Sequence, residues 1–327
     1  MIRLIGVELT RLRWRRAVVV LLVACTLITG VILVGTAWSY RPVSEADLAN
    51  AQEQVEFELQ QPYMQRQIKQ CERHPDRWGV TDADQCAAQV GPQVEWFVGR
   101  EPLRVSTAFR EAGLGVITIL MGLLMLVGTT FAGADWNSGS MSNQLLFEPR
   151  RPRVWLAKAA GVLAVAVASS ALLITAFGGG LLLLANVWDI VVPDGVVGWM
   201  AASGSRAVLL IGAAAVGAYA VTMLVRSTVF TLGAMFAVVV GATLVMALLG
   251  ISEAWFPNKN LGAVIWDGTR YYIEPPMACF VEGRPPRGLD CSGLEKLELW
   301  TAARNLAVLL ALAAAASLWS FRRRDVP

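Results

Sequence analysis

Long apolar runs without charge alternate along this chain with shorter blocks that hold nearly all of its charged residues. A helix needs roughly 20 apolar residues to cross a bilayer core. The runs place spans at 17–39, 113–134, 158–187, 207–225, 227–250 and 304–321. They are apolar on every side. A helix buried in a soluble core keeps a polar face at a period of 3.6 residues. The pattern therefore predicts an all-α polytopic membrane protein with six transmembrane helices. The first run is longer than the roughly 7–15 apolar residues of a cleaved signal peptide, so it reads as a retained span.

Composition agrees: 55% of the 327 residues are hydrophobic and 16% are charged, against about 25% charged in an ordinary soluble domain. Charge then sets the orientation. Arg3, Arg11, Arg13, Arg15 and Arg16 precede the first span, with Glu8 as the single acid. Arg150, Arg151, Arg153 and Lys158 lie between the second and third. Arg226 separates the fourth from the fifth, and Arg322, Arg323 and Arg324 follow the last. With six spans all four basic flanks fall on one side. Lys/Arg-rich short flanks stay cytoplasmic, so both termini are expected in the cytoplasm, including a tail at 322–327, and the protein in the cell membrane.

The opposite side receives 40–112, with twelve acids and eight bases, and 251–303, whose stretch 251–300 holds seven acids and five bases. A short loop, 188–206, joins them there. Four of the five cysteines, Cys71, Cys86, Cys279 and Cys291, fall in these two segments. An oxidising compartment favours disulfides. Of the three pairings that four cysteines allow, the local ones, Cys71–Cys86 and Cys279–Cys291, each close a short loop. Cys25, inside the first span, reads as packing. No C-x-x-C occurs and His74 is the only histidine, so no metal site is expected.

Residues 44–70 predict one or two helices, with Leu48, Val55, Leu59 and Tyr63 near helical spacing; Pro75 to Pro102 is turn-rich. Trp255, Phe256, Trp266, Tyr271 and Tyr272 suit either an interface anchor or a re-entrant pair of half-helices. Residues 1–16 predict an amphipathic helix along the inner surface, with Ile2, Ile5, Leu9 and Leu12 on one face and Glu8, Arg11 and Arg15 on another. Gly233, Ala237 and Gly241, four apart, predict close helix packing. Gly178, Gly179 and Gly180 mark a candidate kink.

The interiors of the spans lack ionisable residues, which argues against a carboxylate-based ion pump or proton-coupled carrier. There is no G-x-x-x-x-G-K-[ST] and no H-E-x-x-H. No serine sits in a G-x-S-x-G elbow. Catalysis in this chain is not expected, and no cofactor or nucleic acid is expected on it.

The most informative polar segment is 135–157, between the second and third spans. With its flanks it reads FAGADWNSGSMSNQLLFEPRRPRVWLAK, from Phe131 to Lys158. It resembles the membrane subunits of type-2 ABC exporters on Phe131, Gly139, Leu145, Leu146, Pro149, Arg150, Arg151, Ala157 and Lys158. Asp135 stands where a glutamate is usual and Ser140 where a threonine is. The large segment between the first two spans departs from the compact members.

The resemblance implies a permease subunit whose inner loop forms a coupling helix docked on a separate ABC ATPase, which holds the ATP and Mg. A second permease protomer, identical or homologous, and surrounding lipids complete the assembly. The coupling residues it implies are Asp135, Trp136, Ser138, Gly139, Met141, Leu145, Leu146, Glu148, Arg150 and Arg151. A helix over 138–147, ended by Pro149, suits the role, with Asp135 and Glu148 pairing with basic groups of the ATPase or with Arg150 and Arg151. The expected cargo is hydrophobic, amphipathic or peptide-like. The competing reading is a polytopic scaffold or sensor that transports nothing and reads ligands with residues 40–112.

Overall fold

The computed structural model describes residues 1–80, 82, 85–99, 102–280 and 290–323. Arg324 of the expected basic tail and residues 281–289 of the second polar segment lie outside the described residues. The chain divides into two compact units: one of Met1–Leu33, Val105–Leu183 and Val192–Pro327, the other of Val34–Arg104 and Leu184–Val191.

Helix α1 covers Ile2–Trp14 and α2 covers Arg16–Ser39, with Arg15 extended between them. Both faces of α1 pack in part: Leu12 of the apolar stripe is buried, Ile5 and Leu9 are half-buried and Ile2 is exposed, while Glu8 on the polar face is buried too. That polar face can be buried because oppositely charged groups on other helices satisfy it. In α2 the free thiol of Cys25 is buried, and Val20, Val23, Leu27 and Val31 are exposed.

The second unit carries α3 (Glu45–Leu59) and α4 (Pro62–Arg73). Ser44 and Asp47 cap α3 reciprocally, and Pro62 opens α4 where its missing N–H costs nothing. A 3₁₀ turn at Pro75–Trp78, then α5 (Cys86–Val90) and α6 (Val94–Val98), complete it. The Cys71–Cys86 disulfide sits in a small core with Val80 and Val90.

In the first unit α7 runs Val105–Asn137, α8 Ser140–Phe147, α9 Arg151–Val187 and α10 Val196–Val225. Arg226, at φ +62°, ends α10. Then α11 (Thr228–Phe236) and α12 (Thr243–Leu248) flank a π-helical turn at Ala237–Ala242. Next come α13 (Pro257–Trp266), strand β1 (Thr269–Tyr272), strand β2 (Leu294–Leu297) and α14 (Leu299–Arg323). Among the described residues five helices, α2, α7, α9, α10 and α14, are long and apolar enough to cross a membrane.

Small residues let these helices meet. A Cβ at Gly128 of α7 would collide with the carbonyl oxygen of Ala215 on α10. One at Gly212 would come 2.9 Å from Leu163 and Val167 on α9. Close backbone approach replaces the hydrophobic drive that lipid-bathed helices lack.

Several expectations are corrected. Gly178–Gly180 do not break α9, which is continuous; a Cβ at Gly180 would lie 2.6 Å from Leu33 of α2. Gly233 and Gly241 face open space, with nothing within 4 Å of a Cβ there, so among the described residues no helix packs on them and the surface stays free for a neighbouring protomer. The 188–206 loop is shorter than expected, because α10 starts at Val196 and Asp267 pairs with Arg206 at 3.6 Å. The half-helix pair is replaced by one helix, α13, and an antiparallel ribbon in which Arg270 faces Lys296 and Tyr271 faces Glu295. The Cys279–Cys291 disulfide closes the ribbon's connection, and both local cysteine pairings are formed.

Candidate functional site

At one end of the bundle, four sequence-distant elements bring three cations and two carboxylates together. Asp135 closes the last turns of α7, and Lys158 lies in the first turns of α9. Both are fully buried, and Glu8 of α1 is 2% exposed. The Lys158 ammonium bridges the two acids, at 3.0 Å from Glu8 Oε2 and in contact with Asp135 Oδ2. Arg15 ion-pairs with Asp135, and Arg11 reaches the same oxygen at 3.2 Å. The break between α1 and α2 aims Arg15 inward. Its guanidinium donates to the Phe131 carbonyl at 2.9 Å and lies 4.8 Å from that ring's centre.

Helix α8 is tied into this cluster by two polar side chains. Ser140 donates to Asp135 Oδ1 at 2.9 Å and accepts from Arg11 at 3.2 Å. Gln144, one turn on, donates its amide to Glu8. Gly139, at φ +67°, makes the sharp turn between α7 and α8. A side chain there would be strained whatever the space around it.

Burying the charges of Glu8, Asp135 and Lys158 is tolerable only when each is paired and hydrogen-bonded. Here each has an opposite partner, with the half-buried Arg11 and Arg15 completing the set. No group of three or more metal-ligating side chains occurs among the described residues. The arrangement is a latch: α1, α7, α8 and α9 cannot shift independently without separating buried charges.

Around the latch, Trp136 stands edge-on to Phe321 at 6.1 Å, with Arg226 4.4 Å above its ring. Trp155 donates to Ser317 of α14 at 3.1 Å, and its carbonyl accepts from Tyr219 of α10 at 3.1 Å. Arg151 donates to the carbonyls of Phe321 and Arg322 at the end of α14, at 3.2 and 3.5 Å. Residues from all four basic flanks thus gather at one end.

The residues expected to couple divide in two. Asp135 and Met141 are buried, so neither presents a side chain to a partner. Asp135 pairs with Arg11, Arg15 and Lys158 instead of Arg150 or Arg151. Glu148 accepts from the backbone N–H of Arg150 at 3.3 Å. Ser138, in the turn after α7, donates to the Ala134 carbonyl, and Leu145 is half-buried. Leu146 and the neighbouring Phe147 are 80% and 92% exposed, an apolar tip. Sequence reasoning assigned no partner to Glu8 or Lys158. The available signal was that Glu8 is the single acid among the first sixteen residues, three and seven positions before Arg11 and Arg15.

No protein-family model matches this chain, and no curated protein or solved structure matches it either.

Proposed function

We propose that this chain is the permease subunit of an ATP-driven exporter of the type-2 ABC kind. Helix α8 is its coupling helix, and a separate ATPase binds the ATP and Mg. The observation that carries this reading is the construction of α8. Its tip offers Leu146 and Phe147 to a partner, while Ser140 and Gln144 tie it to charges on α1 and α7, which Lys158 in turn links to α9. A push on the tip therefore reaches the ends of three other helices at once. A segment whose only task was to connect two spans would need neither feature.

The proposal includes six crossings with both termini in the cytoplasm. Arg226 beside Trp136 places the end of α10 near the latch. Trp266 of α13 stacks on Trp199 at 5.5 Å and meets Phe109 of α7 at 6.3 Å, toward the opposite ends of those helices. The stretch from Thr228 to Leu248 must then travel between the two ends, which supports its crossing as the fifth of six. A second permease protomer would complete a path for a hydrophobic, amphipathic or peptide-like cargo, moved outward.

The test is recovery of an ATPase. Membranes solubilised in mild detergent should yield an ATPase bound to the wild-type chain and none bound to Leu146→Asp/Phe147→Asp. Failure to recover an ATPase with the wild-type chain would remove the exporter reading and leave the scaffold or sensor.

A further inference from the structure

A cleft of about 460 Å³ opens between the start of α9 and the end of α14, with Arg150, Arg151, Arg153 and Arg322 on its walls. Arg151 is engaged with the carbonyls that end α14. Arg150, Arg153 and Arg322 are exposed. Among the described residues, none of these three is within ion-pair distance of a carboxylate. Glu148, the nearest acid in sequence, is turned to the backbone N–H of Arg150.

The same helix pair carries a second hollow farther along. A groove of about 480 Å³ runs past Leu156, Ala160 and Leu163 of α9 and Leu310, Ala311 and Ala314 of α14. Its lining is apolar. From Arg153 to Leu163 the helix rises roughly 15 Å, long enough for most of an acyl chain. The end of α14 that carries Arg322 has the features of an interface: Trp319 is exposed, with the Arg323 guanidinium 4.7 Å from its ring centre. Aromatic and basic side chains at the end of an apolar helix favour the headgroup level.

We propose that the cleft and the groove together bind one anionic phospholipid. Its phosphate sits among Arg150, Arg153 and Arg322, and one acyl chain lies between α9 and α14. Basic pockets between membrane helices suit such headgroups. An acidic protein segment would use the arginines but leave the apolar groove empty, so the two hollows in sequence favour the lipid. The inference rests on these helices facing a bilayer and does not depend on the exporter reading.

The test is competition between lipids on the purified chain in detergent, read by native mass spectrometry with equal phosphatidylglycerol and phosphatidylcholine. Wild type should retain the anionic lipid preferentially. In Arg150→Gln/Arg153→Gln/Arg322→Gln the preference should fall by about tenfold, and the corresponding triple lysine variant should keep most of it. Ala311→Trp, which fills the groove and leaves the arginines, should lower retention of the lipid, and excess inorganic phosphate should not displace it. Equal retention of the two lipids by wild type overturns the proposal without recourse to any variant. So does an unchanged preference in the triple glutamine variant, including the case where that variant loses a bound ATPase. Displacement by inorganic phosphate, with no effect of Ala311→Trp, would reduce the cleft to a free-anion site and also overturn it.

Discussion

The two ends of the helical bundle hold together by different physics. At one end the buried Glu8, Asp135 and Lys158 interlock with the half-buried Arg11 and Arg15 as paired charges. At the other, Phe109 of α7 meets Phe177 of α9, Trp199 of α10 and Trp266 of α13, with ring centres 5.9 to 6.3 Å apart. Aromatic contacts are many, individually weak and tolerant of small shifts. Charge pairs in a dry site are few and all-or-none, because losing one partner strands the other. The aromatic end suits a fixed joint. The charged end is where α8 is attached, and on the proposed reading that is where a partner's push would enter.

The comparison breaks most readily at the charged end. Asp135→Ala strands Arg15, leaves Lys158 with Glu8 alone and should cost about 3–5 kcal/mol. A steep loss of folded protein in a detergent melting assay would register it. Replacing both members of a pair, as in Glu8→Leu/Lys158→Met, should cost less than the two single changes together. A strictly additive result would show that the charges act independently. At the aromatic end Phe109→Ala should cost about 3 kcal/mol, but Phe109→Leu should recover most of it, since shape matters there more than chemistry. No comparable conservative rescue is expected for Asp135.

Smaller effects test the ribbon beyond the aromatic end. Removing the Cys279–Cys291 link by a double serine change should destabilise the ribbon by about 2–3 kcal/mol. Faster amide exchange in Thr269–Tyr272, with α7 and α10 unaffected, is the expected readout. The smallest effect is one of pH. Glu253 accepts from the backbone N–H of Tyr272 and pairs with Lys259 at 3.2 Å, and these hold its carboxyl below the ordinary glutamate value. A depressed folded value contributes stability above the unfolded value of about 4.3, and that contribution is lost as pH falls through the folded value. Protection of the Tyr272 amide should therefore weaken on acidification. In Glu253→Gln the weakening should be absent.

Much of this was legible from the residues alone. Five of the six apolar runs fall on the long helices, because a bilayer's thickness sets a minimum length that few soluble helices imitate; the run at 227–250 is divided into α11, the π-helical turn and α12. The cysteine pairs were legible because each lies within one polar block and closes a short loop. The ribbon was not: Thr269–Tyr272 and Leu294–Leu297 are four residues each, far apart in sequence, and short strands carry almost no periodicity. The role of α1 was misread for a related reason. A face bearing Glu8, Arg11 and Arg15 looks solvated until Asp135 and Lys158 are known to lie across from it.

The sequence by itself determined where the five long apolar helices lie, the basic flanks and the disulfide partners. All of these depend on composition or on residues close in the chain. Only the tertiary structure decided what the charges do. Asp135 and Lys158 are 23 residues apart, and Glu8 is 150 from Lys158, so their pairing is written in helix packing rather than in spacing. The same fold left Arg150, Arg153 and Arg322 without a carboxylate among the described residues. Arginines that look alike along the chain thus became a buried latch in one place and an open basic cleft in another. The difference is whether a distant acid arrives to meet them.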